Sequence, residues 1–151
     1  MKLQNYFAPN SICFGCGPAN DKGLQIQSIP DGEVVIADFQ PLPHHQAFSN
    51  ILSGGIIGTL LDCHSNWTAA WTIMNNRKDN HPPCTVTAQY TIKLLKPCPT
   101  NAPVKLIAKV VESNDKKAII HAELITEDKI CAKCEGIFIA VNEGHPAYNR
   151  W

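Results

Sequence analysis

The sequence predicts a single α+β domain in which an antiparallel sheet of about six strands wraps around one long central helix. Three observations carry this. Residues 53–71 hold the chain's long helical apolar pattern, two alternating stretches precede it, and four follow it between turn formers. A helix and a sheet with one apolar face each are satisfied by one shared core. A closed all-β barrel would leave the helix nowhere to pack.

Composition bounds the rest. At 151 residues the chain reads as one domain, 1–151, with 1–22 as an N-terminal loop segment and 143–151 as a tail. A domain of this size buries roughly 70% of its unfolded surface without metals or disulfides. Thirteen Lys and Arg balance thirteen Asp and Glu, so no basic patch calls for nucleic acid or a membrane surface. The seven cysteines are an odd number, and no secretory pattern opens the chain. Free thiols in a cytoplasmic setting are expected. Asp62 and His64 interrupt the longest apolar segment well short of a membrane span.

The elements follow in order. Residues 1–9 read as irregular, and Cys13 to Gly23, dense in turn formers, as a folded-back loop. Leu24–Ile29 and Glu33–Phe39 alternate around Pro30-Asp31-Gly32 as a hairpin. A polar loop from Pro41 to Asn50 leads to Ser53, a natural N-cap, and the helix is expected to fray over Asn75–Asn80. After Pro82 and Pro83, Val86, Ala88, Tyr90, Ile92 and Leu94 share one strand face, expected to be buried. Thr85, Thr87, Gln89, Thr91 and Lys93 share the other. Strands over 104–112, 118–126 and 130–141 complete a meander.

At helical spacing, residues 53–71 sort into two stripes. Ile56, Ile57, Leu60, Leu61, Trp67 and Trp71 form an apolar one, with His64 as a core histidine. Gly55, Gly58, Thr59, Asp62, Ser65, Asn66 and Ala69 form a stripe of small or polar residues with one acid in their midst. Small residues at this spacing let another backbone or a ligand come close.

The order of elements, the segment C-F-G-C-G-P-A-N-D-K-G-L, and L-S-G-G-I-I-G-T-L-L-D after a P-L-P loop together resemble the hotdog-fold acyl-CoA thioesterases, specifically the PaaI-like branch. The likeness runs from Cys13 to Val141. It implies that Gly54 and Gly55 match the family's helix-start glycines and that Asp62 matches its acid, the base or nucleophile on a thioester. Ser53 stands where the family's histidine usually stands. His45, Gln46 and Asn50, just before the helix, match the region where the family places substrate-orienting groups. The resemblance also implies an acyl-CoA substrate, coenzyme A being part of the substrate and no cofactor, and a homo-oligomer, a dimer or a dimer of dimers.

The chemistry is consistent with those roles. Unpaired N–H groups at a helix start carry partial positive charge and stabilise an oxyanion, which suits Gly54 and Gly55. Gly54 and Asp62 are separated by roughly 12 Å along a helix, whereas a reacting group must lie about 3 Å from both base and oxyanion donors. One helix cannot supply both to one substrate, so the acid of one subunit should serve the helix start of another. The site expected from this is a tunnel at the interface lined by Gly58 and Asn66 on the helix and by Thr85, Thr87 and Gln89 on the next strand. Lys93 or Lys96 would meet nucleotide phosphates, and Trp67 or Trp71 would limit acyl depth. A non-catalytic module of the same fold that binds an acyl thioester or another apolar ligand is the alternative, suggested by Ser53.

Cys13-x-x-Cys16 and Cys131-x-x-Cys134 together have the spacing of a zinc tetrad. Cys131 and Cys134 fall in a strand, however, where residues three apart point to opposite faces. No metal is expected.

Overall fold

The computed structural model describes residues Met1–Trp151. Its centre is the helix α2, Gly54–Arg77. Ile57, Leu60, Leu61, Trp67 and Ile73 are buried on one side of it. They pack against inward residues of the sheet, among them Val35, Leu106, Ile120, Leu124 and Phe138. The helix runs on to Arg77 and stops at Lys78, whose left-handed backbone (φ 58°) turns its amide back onto the carbonyls of Met74 and Asn75.

The sheet is antiparallel throughout. Strands β1 (Ile29–Asp31), β2 (Val34–Phe39), β5 (Thr85–Leu94), β6 (Val104–Ser113), β7 (Lys117–Thr126) and β8 (Lys129–Ala140) lie in the order β1-β2-β6-β7-β8-β5. Six strands around one helix is the expected architecture. Alternation is clearest in β7, where every second residue from Ala118 to Thr126 is buried. Strand β5 is an edge. It pairs only with β8, and Tyr90, Leu94 and the adjoining Leu95 are 46%, 59% and 50% exposed.

Several local expectations are corrected. Residues Leu3–Phe7 form a short helix, α1, because Leu3 and Phe7 reach the core and the Leu3 amide bonds Ser28 O at 2.9 Å. Leu24–Ser28 is not a strand of the sheet; the amides of Leu24 and Ile26 bond the carbonyls of Phe14 and Gly15, at 2.8 and 3.1 Å. The hairpin turn falls at Gly32 (φ 62°) and Glu33, one step later than Pro30-Asp31-Gly32 suggests. Within the loop before α2, Pro43–His45 forms a 3-10 turn. Gln46–Phe48 (β3) and Ile51–Leu52 (β4) then pair as a small second sheet.

The largest correction concerns β5. A bulge between Thr87 and Gln89 changes which side chains face inward. Before it, Thr85 and Thr87 bond residues of α2, and after it Ile92 packs on the core. The apolar face expected to be buried is therefore broken in two, Val86 and Ala88 falling out of register with Tyr90, Ile92 and Leu94, and at this open edge Tyr90 and Leu94 are largely exposed.

Candidate functional site

The start of α2 is held from behind. The Ser53 amide donates to His45 O at 2.9 Å and the Leu52 amide to Cys98 O at 2.8 Å. Ser53 occupies the N-cap position, but its hydroxyl makes no capping bond; its carbonyl accepts from the Ile57 amide at 3.0 Å. The amides of Gly54, Gly55 and Ile56 precede Ile57, the first amide to bond back along the helix, and have no backbone partner. A Cβ on Gly54 would come within 3.2 Å of Leu94, whereas one on Gly58 would meet nothing within 4 Å. Gly54 borders a cavity of about 290 Å³ with Phe48, Ile57, Leu94 and Lys96.

Two turns further on, Asp62 sits half-buried on the same flank. Thr87 Oγ1 donates to its Oδ1 at 2.6 Å. Burial pushes the Asp62 carboxyl above its ordinary 3.8; the Thr87 hydrogen bond opposes this, Cys13 adds to the upward shift, and the Arg150 guanidinium lowers it. Asp62 lines a small cavity of about 140 Å³ with Asn66, Thr87, Cys13 and Arg150. Beneath it, Asn66 and Thr85 bond each other, with Asn66 Nδ2 donating to Thr85 O at 3.4 Å.

The tail closes one side of this cavity. Trp151 stacks on Trp67, ring centres 4.3 Å apart, and Arg150 donates to Thr85 O at 2.6 Å. Sequence reasoning gave Arg150 no role at the site; only the packing of Trp151 brings it there. Of the two tryptophans named for acyl depth, Trp67 lines this cavity. Trp71 lies elsewhere, beside Val35 and Asn75.

His64 faces the opposite way and fixes the helix's rotation. Its Nε2–H donates to Val35 O at 3.0 Å, so its Nδ1 accepts from Ser28 Oγ at 2.9 Å. Ser28 Oγ in turn accepts from Gln4 at 3.0 Å. Full burial lowers the imidazole from 6.5 to about 4, keeping it neutral.

The remaining residues named from the sequence divide by location. Gly55, Gly58, Asp62 and Asn66 form the open flank of α2, while Ser65 and Ala69 of the same stripe are fully enclosed. His45 is turned inward. Its Nδ1 accepts from the Leu42 amide at 3.0 Å, and burial, with the neighbouring His44, lowers its pKa. Gln46 is exposed, donating to Pro43 O and accepting from the Asn50 amide, each at 2.6 Å. His45, Gln46 and Asn50 thus shape the loop and are not among the residues lining the Asp62 cavity. Gln89 lies past the bulge, exposed, and is likewise absent from that lining. Lys96 borders the helix-start cavity, but Lys93 does not.

The cysteines rearrange the expected tetrad. Cys131 is buried against Pro97 O and Cys134 against Ser65. Cys13 and Cys16 meet Cys63 of α2 instead, all three Sγ atoms lying within 4.8 Å of one another.

No helix is long and apolar enough to cross a membrane. No protein-family model and no curated protein matches the sequence. Solved structures do. A thioesterase superfamily protein from Shewanella loihica is 26% identical, over 83% of this chain and 98% of its own, with a TM-score of 0.67. The Escherichia coli PaaI protein from the phenylacetic acid degradation operon is 18% identical over 83% and 88%, TM-score 0.66. An uncharacterised protein from Pyrococcus horikoshii is 13% identical over 88% and 95%, TM-score 0.66.

Proposed function

We propose that this chain, a hotdog-fold protein of the thioesterase family, is an acyl-CoA thioesterase that acts as a homodimer. The observation that carries the reading is the pairing on one open flank of α2 of two unlike half-sites. Unpaired amides lie at Gly54 and Gly55, and a half-buried carboxylate held by Thr87 lies at Asp62. They border different cavities in one protomer, as their spacing requires.

A second copy brings the two together. The open edge of β5 offers a strand partner and apolar side chains at Tyr90 and Leu94. Gly58 has no contact within its own chain that would exclude a side chain, although glycine in a helix costs about 1 kcal/mol relative to alanine. Close approach by a partner or ligand gives that glycine a purpose.

In the reaction, Asp62 accepts a proton from water, and the water oxygen bonds to the thioester carbonyl carbon. Amides of the partner's helix start hold the resulting oxyanion. Collapse breaks the carbon–sulfur bond, and the departing thiolate takes the proton from Asp62. Thr87 engages one carboxylate oxygen and leaves the other for water.

Ser53, in place of histidine, favours a second reading, an acyl-thioester binding module without turnover. A thiol-release assay over a panel of acyl-CoAs tests both. Hydrolysis that falls at least roughly 100-fold in Asp62→Asn supports the enzyme. Saturable binding of a non-hydrolysable acyl-CoA analogue with no turnover of any thioester supports the module.

A further inference from the structure

We infer that Cys13, Cys16 and Cys63 form a zinc site whose fourth coordination position opens onto the cavity beside Asp62. The inference does not rest on thioester hydrolysis, and none of its measurements reads turnover.

The geometry is that of a metal-binding knuckle docked on a helix. A zinc–sulfur bond of about 2.3 Å in a tetrahedral centre sets sulfur atoms about 3.8 Å apart. The Sγ atoms of Cys13 and Cys63 are 3.8 Å apart, and Cys16 joins them within 4.8 Å. A disulfide needs about 2.05 Å. The three sulfurs are spaced to share an ion and not to bond each other.

The surroundings are built for that arrangement. Cys13 to Gly17 closes a tight turn, with the Gly17 amide on Cys13 O at 2.8 Å. A Cβ on Gly15 would fall 2.3 Å from Cys63 Sγ, so glycine lets the turn sit directly on the helix thiol. Leu24 and Ile26 clamp the turn through its carbonyls, leaving the sulfurs clear.

Three thiolates select a soft or borderline ion, and zinc suits a tetrahedral centre that holds three protein ligands and one open position. Cys16 and Cys63 are buried and Cys13 is more open, and all three line the cavity that also holds Asp62, Thr87 and Arg150. Water would complete the set from that side. The ion would tie the N-terminal segment to α2 next to the acid.

Metal analysis of the full chain, purified under reducing conditions without added zinc, is expected to give about one zinc per chain. Cobalt replacing it should show a thiolate-to-cobalt charge-transfer band and the intense visible bands of a tetrahedral centre. Cys63→Ser should lose both readouts; Cys13→Ser, at a more exposed position, gives the same test if the first variant does not fold. Cys84→Ser, away from the cluster, should keep them. Folded, reduced protein with neither zinc nor a cobalt spectrum would overturn the site. So would undiminished metal in folded Cys13→Ser, or a Cys13–Cys16 or Cys13–Cys63 disulfide found by mass spectrometry.

Discussion

His64 gives the sharpest energetic test of how α2 is held. Its pKa drops from 6.5 to about 4 in the folded chain. The unfolded chain therefore binds more protons between those values, and stability falls as pH drops through 6.5 and levels off below about 4. At about 1.36 kcal/mol per unit of pKa, linkage gives a loss of about 2 kcal/mol between pH 7 and pH 5 and about 3 kcal/mol by pH 4. Against a typical domain stability of about 5–15 kcal/mol, that is a large share. Urea unfolding of wild type and His64→Gln at pH 7, 6, 5 and 4 isolates it, because carboxylates and His45 titrate in both proteins. The variant should be less stable at pH 7, having lost the bonds to Ser28 and Val35. The gap should narrow by about 2 kcal/mol by pH 5. A gap that stays constant with pH would refute the reading of His64 as a buried neutral imidazole.

Other perturbations separate structural from functional roles. Gly58→Ala should stabilise the dissociated chain by about 1 kcal/mol, since its Cβ meets nothing within 4 Å, and should weaken self-association. Unfolding at low concentration and sedimentation equilibrium check the two; destabilisation of the dissociated chain, or unchanged association, contradicts the open flank. Thr87→Val removes the 2.6 Å bond to Asp62 and should lower kcat with little change in KM, while Thr87→Ser restores the rate. Equal kcat in Thr87→Val and wild type would remove Thr87 from the site. Trp151→Ala loses a stacking contact worth about 0.5–1.5 kcal/mol and uncovers Trp67. KM for bulkier acyl thioesters should drop, and an unchanged chain-length profile would show that the tail does not border the substrate.

The architecture was legible because its signals are periodic. The stripe of Ile57, Leu60 and Leu61 and the alternation from Ala118 to Thr126 each state which side is inside. What stayed hidden depends on single residues or on distant partners. The bulge between Thr87 and Gln89 leaves no composition signal, yet it determines that Thr87 reaches Asp62 while Gln89 faces away. His45, which the resemblance puts in the region of substrate-orienting groups, turns its ring inward to accept the Leu42 amide, a contact that no local pattern announces. Spacing alone joined Cys13-x-x-Cys16 to the second cysteine pair. The partner is Cys63, on the helix and fifty positions from Cys13, and no local pattern links a turn to a thiol across the core. Arg150 reaches the site only because Trp151 finds Trp67.

The central claim is that Asp62 transfers the proton in thioester hydrolysis. The most direct test is kcat/KM for thiol release from the best acyl-CoA in the panel, compared between wild type and Asp62→Asn with both shown to be folded and equally associated. Loss of the base should cost roughly 100- to 10,000-fold. Equal values for the two proteins would contradict the account.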